Sequence, residues 1–318
     1  MVYILESTKT RFFIDVLLLY DSALISCVAC ERERTLQDVK IAAIQMTSVV
    51  GDIEGNLESI DRLLGDAVQK GADIACFPEL SVSGYNTSER SGEPANGTLI
   101  PPTVEIPSET TKALEAIGKR HGIWFLVGLL ERDSSGIVYN TQLVISPNGI
   151  EGKYRKTHVP TTEIGTWRHG DDLPIFNHPK IRFGIEICYD THFPEVSAAL
   201  ADKGAELIFM PHASGGAEPA PDKQARWERY VPARAYDNTV FTAICNQVGD
   251  NEAGHTFEGV TFVCDPVGKV MAQSNDGTIE DIVIAQLEAS VLEEARHVPE
   301  TFFRHFRRPE IYEAWGGK

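Results

Sequence analysis

The strongest constraint on the fold is the way in which short apolar runs alternate with segments of helical periodicity. A buried strand over 39–46 precedes a helix that begins near Asn56 and ends at Gly71, and a strand over 73–77 follows. A second helix is predicted over 109–120. Late in the chain four strands follow one another, over 239–246, 259–264, 269–272 and 282–286. Strands that first alternate with helices and then form a meander indicate an α/β fold with a mixed sheet.

Other stretches are predicted from their composition. They are a loop over 82–107, a polar loop over 147–172, one charged helix over 221–237 and a basic, proline-containing tail over 304–312. The chain shows no fixed-period repeat and no low-complexity linker. A single catalytic domain over 39–290 is therefore the simplest interpretation. It is flanked by an N-terminal extension over 1–38 and a C-terminal tail over 291–318, which we expect to pack at an oligomer interface.

Composition excludes several classes of function. The formal charge of −17 disfavours binding to nucleic acid, because such a chain repels phosphate groups. Six scattered cysteines are too few for a disulfide scaffold, which favours reduced thiols and a cytoplasmic location. Cys27 and Cys30 have metal-like spacing, but no second Cys or His pair lies nearby, so we assign them no function. Asp15 and Asp21 interrupt the apolar run of the extension, so neither a signal sequence nor a membrane span is predicted.

Three side chains of different chemistry follow predicted strands. Glu79 comes after the strand over 73–77, Lys156 lies in a loop after a later strand, and Cys188 directly follows an alternating apolar strand. Pro194 can start the next helix, so Cys188 occupies a strand-to-helix turn. Because the ends of parallel strands meet at one edge of a sheet, we expect the three side chains to form one site.

The chemistry of these residue types predicts their roles. A cysteine sulfur attacks carbon well, which makes Cys188 the nucleophile. Glu79 is the general base that takes the thiol proton and later returns it to the leaving amine. Lys156 stabilises the developing oxyanion, helped by a backbone N–H near Tyr189, and its charge also favours the thiolate.

The segments that carry these residues resemble the nitrilase superfamily of carbon–nitrogen hydrolases. The three matching motifs are Phe77-Pro78-Glu79-Leu80, Tyr154-Arg155-Lys156-Thr157-His158 and Ile187-Cys188-Tyr189-Asp190. The resemblance extends over about 40–290 and includes the stretch Arg307-Arg308-Pro309-Glu310. It implies an α/β four-layer αββα sandwich with mixed sheets, a homodimer or higher homo-oligomer, and no metal or organic cofactor.

The resemblance also suggests further site residues. Glu163 stands seven residues before Gly170, where the family often carries a second glutamate, and is expected to orient Lys156 or the attacking water. The candidate substrate contacts are Tyr85, His158, Tyr189, His192 and His212. Many amidase-type relatives have arginine at the position of His192. This histidine either contacts the substrate or packs at the start of the helix.

The residues after the nucleophile favour one class of substrate. Nitrile-cleaving relatives usually have tryptophan and glutamate there, whereas this chain has Tyr189 and Asp190, as amidases and N-carbamoyl hydrolases do. The resemblance therefore implies hydrolysis of a small linear amide or N-carbamoyl (ureido) compound through a covalent intermediate on Cys188. We expect no nucleic-acid or membrane partner. A nitrilase and a non-catalytic binding or scaffold protein remain as alternatives.

Overall fold

Two six-stranded sheets form the centre of the protein, and the computed structural model describes residues 37–86, 101–216 and 218–316. The first sheet contains β1 (Val39–Gln45), β2 (Ile74–Cys76), β3 (Trp124–Arg132), β4 (Val138–Ser146), β5 (Gly149–Arg155) and β14 (Asp281–Leu287). The second contains β6 (Phe176–Asn177), β7 (Arg182–Ile185), β8 (Leu207–His212), β9 (Phe241–Asn246), β12 (Phe262–Cys264) and β13 (Val270–Gln273). A short ribbon is formed by β10 (Gly249–Asp250) and β11 (Thr256–Phe257).

The strand orders are β14-β1-β2-β3-β4-β5 and β13-β12-β9-β8-β7-β6. Both sheets are mixed, because β1, β2 and β3 are parallel, as are β7, β8 and β9, while their outer neighbours are antiparallel. The helices are α1 (Ile53–Gln69), α2 (Glu109–His121), α3 (Pro194–Asp202), α4 (Ala220–Trp227), α5 (Val231–Asn238), α6 (Ala289–His297) and α7 (Pro309–Gly316).

The layers follow from the alternation of side chains along each strand. Ala42 and Ile44 of β1 lie in an apolar cluster with the buried faces of α1 and α2. Ile244 of β9 lies in a second cluster with α3, α4 and α5. Residues of opposite parity point between the sheets, where the sulfur atoms of Cys76 and Cys245 are 3.8 Å apart. This arrangement is the predicted αββα sandwich.

Local sequence explains where several elements begin and end. Asp52 caps α1 by accepting a hydrogen bond from the backbone N–H of Gly55. Ser108 and Thr111 form a capping box at the start of α2. Gly122 ends that helix with φ of +67°, a left-handed conformation that glycine adopts without steric cost.

Three predictions of secondary structure were wrong. The predicted loop over 147–172 contains β5, which pairs antiparallel with β4. The predicted helix over 221–237 is divided into α4 and α5, because Pro232 lies in the first turn of α5 and cannot continue the preceding helix. The predicted tail over 304–312 includes the start of α7.

Some predicted features lie outside the described residues. The N-terminal extension through residue 36, with Cys27 and Cys30, lies outside the described residues, as does most of the predicted loop over 82–107. Within the described ranges, no helix is long and apolar enough to cross a membrane. The domain limits and the interface assigned to the C-terminal tail stay predictions.

The close packing around Gly128 of β3 leads to a testable prediction. A Cβ atom there would lie 2.2 Å from the backbone nitrogen of Leu80 and 2.9 Å from the carbonyl carbon of Glu79. Backbone cannot yield easily, so Gly128→Ala is expected to lower the free energy of unfolding by about 1–3 kcal/mol. Urea titration measures this change.

Gly165→Ala is the matched control, because nothing lies within 4 Å of its added Cβ. Its free energy of unfolding is expected to stay within about 0.5 kcal/mol of the wild-type value. Equal stability of the two variants would contradict the close approach of β3 to the segment that carries Glu79.

Candidate active site

Four strand ends meet at one edge of the sandwich. In the first sheet β2 and β5 run in the same direction, because β2 is parallel to β3 and the antiparallel strand β4 lies between β3 and β5. Glu79 follows β2 and Lys156 follows β5. In the second sheet Cys188 follows β7 and Ala213 follows β8. The structure thus brings together the three side chains that the sequence places after strands, with two sheets contributing rather than one.

Glu79 is completely buried and accepts hydrogen bonds on both carboxylate oxygens. Its Oε1 accepts from Lys156 Nζ at 2.8 Å and from Asn140 Nδ2 at 2.7 Å. Its Oε2 accepts from the backbone N–H of Ala213 at 2.8 Å. These contacts join both sheets and fix the orientation of the carboxylate.

Lys156 is completely buried between two carboxylates. Its Nζ lies 2.8 Å from Glu79 Oε1 and 2.8 Å from Glu163 Oε2. Burial alone would lower the pKa of Lys156, but Glu79 and Glu163 outweigh this effect and raise it above its usual value. The lysine therefore carries a positive charge at the centre of the site.

Glu163 is held by three donors. Tyr85 donates its hydroxyl to Oε1 at 2.7 Å, while Lys156 and Trp167 Nε1 donate to Oε2, the latter at 3.1 Å. Burial raises the pKa of Glu163, against the opposing effect of Lys156. Trp167 is almost completely buried, so it packs beneath the site rather than covering it.

Cys188 lies on a strained turn. Its φ is +48°, a left-handed conformation that costs a residue with a Cβ roughly 1–2 kcal/mol. The hydroxyl of Thr191 donates to the carbonyl oxygen of Cys188 at 2.7 Å. Such strain persists only where the surrounding contacts enforce it, and it is common at functional sites.

The surroundings of the Cys188 thiol favour its protonated form. Desolvation raises the pKa of Cys188 well above its usual range, and the charge and hydrogen bond of Glu79 act in the same direction. Lys156 lowers this pKa, as expected from the sequence, but it does not dominate. Formation of the thiolate therefore requires a base, and Glu79 is close enough to the thiol to raise its pKa.

A cavity of about 200 Å³ opens beside Cys188. Its lining includes Tyr85, Glu163, Tyr189, Ser214 and Phe257. This volume is smaller than the roughly 300–1,000 Å³ of sites for drug-sized ligands. The volume enclosed by the lining residues in the described part of the chain therefore suits a small molecule.

The predicted substrate contacts divide into two groups. Tyr85 and Tyr189 line the cavity, although the hydroxyl of Tyr85 is engaged by Glu163. His158 lies in a neighbouring cavity, stacked 3.9 Å from the ring of Phe193. The remaining two histidines are not in the cavity lining either.

His192 and His212 contact neighbouring groups of the protein rather than the cavity. The ring of His192 lies 4.8 Å from that of Tyr230, and desolvation, followed by Arg226 and Arg234, lowers its pKa. His212 is buried, its Nδ1 is 2.9 Å from the carbonyl oxygen of Met210, and burial lowers its pKa to about 3. His192 is an exposed residue and its contact with substrate stays a prediction, whereas His212 is buried outside the cavity lining.

Two supports of the site were missed in the sequence. Asn140 is the third residue of β4, and its signal was the run of polar residues over 140–142. Lys223 is completely buried and donates to the carbonyl oxygen of Ser214 at 2.5 Å and to Glu258 Oε2 at 3.1 Å. Lys223 therefore joins two walls of the cavity, since Ser214 and Phe257, the neighbour of Glu258, both line it.

The donor set of the site fits covalent chemistry by the protein's own side chains. Cys188 and Glu163 line one small cavity, and the buried Lys156 ammonium lies between Glu163 and Glu79. Among the residues that the structure describes, no group of three His, Cys, Asp or Glu side chains has an arrangement that could hold a metal ion.

Solved structures of similar fold belong to the nitrilase superfamily. A cysteine-to-alanine mutant of the Nesterenkonia AN1 amidase, described as coming from this superfamily, superimposes with a TM-score of 0.71 at 23% identity. The match covers 87% of this chain and 97% of that chain. A glutamate mutant of the same amidase, with a TM-score of 0.70 at 23% identity over 87% and 96% of the two chains, shows covalent addition of the acetamide moiety of fluoroacetamide at the active site cysteine.

Sequence comparison gives the family. The protein-family model described as carbon-nitrogen hydrolase matches residues 40–297 of the sequence. The chain therefore belongs to the carbon–nitrogen hydrolase family. It is 32% identical to omega-amidase NIT2-A of Xenopus laevis over 269 residues, which are 81% of this chain and 91% of that protein. It is 30% identical to a nitrilase of Pyrococcus abyssi over 259 residues, 81% and 93% of the two chains. The predicted superfamily and the predicted class, a hydrolase, are thus confirmed.

Glu186, beneath the Cys188 turn, yields a prediction about pH. It is completely buried, its Oε1 accepts from Ser197 Oγ at 2.5 Å, and its Oε2 has no hydrogen-bond partner within the described part of the chain. Burial raises its pKa from 4.5 to about 8, with Asp190 adding to the rise and Arg234 opposing it. Between these values the folded state holds a proton that the unfolded state has lost, so Glu186 contributes stability that declines as pH rises from about 5 to 8.

Glu186→Gln removes this titration. The free energy of unfolding of the variant minus that of the wild type is expected to rise across this pH range, by at most about 1.4 kcal/mol per pH unit. Urea titrations at several pH values measure the difference. Glu195→Gln changes an exposed carboxylate on α3 and serves as control. A difference that is flat with pH for Glu186→Gln would contradict a protonated Glu186.

Proposed function

We propose that the protein hydrolyses a carbon–nitrogen bond in a small linear amide or N-carbamoyl compound, with Cys188 as the nucleophile. The observation that carries this proposal is the Lys156 ammonium, held 2.8 Å from both Glu79 and Glu163 beside the cavity that contains Cys188. A cation fixed in a dry site stabilises an oxyanion without having to reorganise. Family membership and the omega-amidases among the similar proteins support amide hydrolysis.

In the first step the thiol proton passes to Glu79 as the sulfur of Cys188 forms a bond to the carbonyl carbon. The carbonyl oxygen becomes an oxyanion, which Lys156 stabilises together with a backbone N–H near Tyr189. Glu79 then gives the proton to the substrate nitrogen as the C–N bond breaks. Ammonia or an amine leaves, and a thioester or carbamoyl-thiol remains on Cys188.

In the second step water attacks this intermediate while Glu79 accepts a proton from the water. The C–S bond breaks, the acid is released, and the proton returns to the sulfur. Of the two roles open to Glu163, orienting Lys156 is the better supported, because its oxygens are already engaged by Tyr85, Lys156 and Trp167.

The substrate class rests on size and on the residues beside the nucleophile. A cavity of about 200 Å³ fits a small molecule. Tyr189 and Asp190, rather than tryptophan and glutamate, follow Cys188, which favours amides and ureido compounds over nitriles. The N-carbamoyl subclass and the homo-oligomeric state stay predictions from the resemblance, and the cytoplasmic location stays a prediction from the cysteine content.

A substrate panel tests the proposal. Short aliphatic amides, omega-amides of dicarboxylic acids, N-carbamoyl amino acids and simple nitriles are offered to the enzyme, and ammonia release is measured. Turnover of an amide or ureido compound, abolished in Cys188→Ala, is expected. Acid formation from nitriles alone would favour the nitrilase alternative. No turnover of any member would favour a binding or scaffold protein and contradict the proposal.

The base is tested by alkylation of Cys188 with iodoacetamide, which needs no knowledge of the substrate. Because Glu79 accepts the thiol proton as the sulfur attacks, Glu79→Gln is expected to slow alkylation near pH 7, although it removes a charge that raises the pKa of Cys188, and to lower kcat by about 10²–10⁴-fold. Glu151→Gln, at an exposed position of β5, is the control and should leave both rates unchanged. An alkylation rate in Glu79→Gln equal to that of the wild type would exclude Glu79 as the base for Cys188.

A further inference from the structure

We propose that Asp190 is a positioning residue whose single carboxylate locks the Cys188 turn to the Lys156 segment. The inference rests on the proposed roles of Cys188 and Lys156. Asp190 is completely buried and its carboxylate binds Ile187, Tyr154, Thr157 and His158, so it is placed to act through these residues. The proposed chemical steps assign it no part.

One side of the carboxylate holds the nucleophile turn. Asp190 Oδ2 accepts from the backbone N–H of Ile187 at 2.9 Å, and the backbone N–H of Asp190 donates to the carbonyl oxygen of Ile187 at 3.1 Å. These reciprocal bonds enclose Cys188, whose left-handed φ of +48° needs such support. The carboxylate therefore sustains the strain of the turn that presents the sulfur.

The other contacts hold the segment around Lys156. Tyr154 donates its hydroxyl to Oδ2 at 2.7 Å, Thr157 donates its hydroxyl to Oδ1 at 2.9 Å, and the backbone N–H of His158 donates to Oδ1 at 2.8 Å. The ring nitrogen Nδ1 of His158 lies 3.0 Å from the same oxygen. These residues flank Lys156 on both sides. The carboxylate of Asp190, in the turn after β7 of the second sheet, thus binds the end of β5 in the first sheet. We call this set of hydrogen bonds to Asp190 the clamp.

Only a carboxylate accepts all of these bonds. Its two oxygens offer about four lone-pair sites and no donor, whereas an asparagine side chain would turn an N–H₂ group toward one set of the backbone N–H groups. Asp190→Asn can therefore keep the contacts on one side of the clamp but not on both. A glutamate would retain the charge but add a methylene to a fully buried contact.

The expected defect lies in the chemical step. A displacement of about 1 Å between reacting groups can cost about 10²-fold in rate. Because Asp190 does not line the cavity, substrate binding should change little. Loss of the clamp should therefore lower kcat and leave KM nearly constant.

The test compares Asp190→Asn with Thr157→Val, which removes one donor from the side of Lys156. Asp190→Asn is expected to lower kcat by about 10²-fold with KM within about threefold of wild type. Thr157→Val is expected to lower kcat by about fivefold, as loss of one hydrogen bond of about 1 kcal/mol implies. The alkylation rate of Cys188 by iodoacetamide should fall in both variants.

Thr141→Val is the matched control. Its hydroxyl is also buried and also donates to a carboxylate, Glu131 Oε2, at 2.7 Å, but it makes no hydrogen bond to Asp190. Thermal unfolding is expected to show similar destabilisation of Thr157→Val and Thr141→Val, while kcat falls only in Thr157→Val. Asp190→Glu adds a second criterion, because a purely electrostatic role would preserve its kcat and a positioning role would not.

Each outcome decides the proposal. If folded Asp190→Asn keeps kcat and the alkylation rate within about twofold of wild type, or changes KM alone, the clamp is excluded. If Asp190→Asn does not fold, the two threonine variants decide. Equal kcat values and equal alkylation rates in Thr157→Val and Thr141→Val would then exclude the clamp. If the wild type hydrolyses no member of the panel, the proposed function fails, while the alkylation rates still show whether Asp190 positions Cys188.

Discussion

The site depends on one buried ammonium group shared by two carboxylates. Removal of Lys156 would leave Glu79 and Glu163 as uncompensated buried charges, which typically costs about 3–5 kcal/mol. The three residues come from separate segments of the chain, so the ion pairs form only when β2, β5 and the segment after β5 are correctly assembled. The same interaction therefore specifies the fold at this edge of the sandwich and supplies the charge that the proposed reaction uses.

The ion pairs also explain how a thiol of raised pKa can act as a nucleophile. Desolvation and Glu79 keep Cys188 protonated, and Lys156 alone does not reverse this. Proton transfer to Glu79 then accompanies attack, and the oxyanion that forms faces a cation that is already in place. Asp190 supports the strained backbone of Cys188 by hydrogen bonds and connects this turn with the strand end that carries Lys156.

Much of this arrangement could be predicted from the sequence, because strands rich in apolar residues and their abrupt ends are local signals. Glu79, Lys156 and Cys188 each follow such an end. The strand β5 was missed because its residues are polar and include Gly149 and Gly152, as suits an edge strand that is only partly buried. The contacts of Asn140, Lys223 and Asp190 could not be predicted, because each connects segments that are far apart in sequence and gives no periodic signal. His212 shows what local sequence cannot distinguish. A histidine at a strand end has the same local signal whether it faces a substrate or the core.

The central claim is that Cys188 carries the acyl group during turnover. The most direct test mixes the enzyme with an amide or ureido compound that it hydrolyses and stops the reaction with acid within milliseconds. The mass of the intact protein and the masses of its proteolytic peptides are then measured. The account predicts a mass increase equal to the acyl or carbamoyl group, located on the peptide that contains Cys188. Turnover without any such adduct, or with the adduct on another residue, would contradict it.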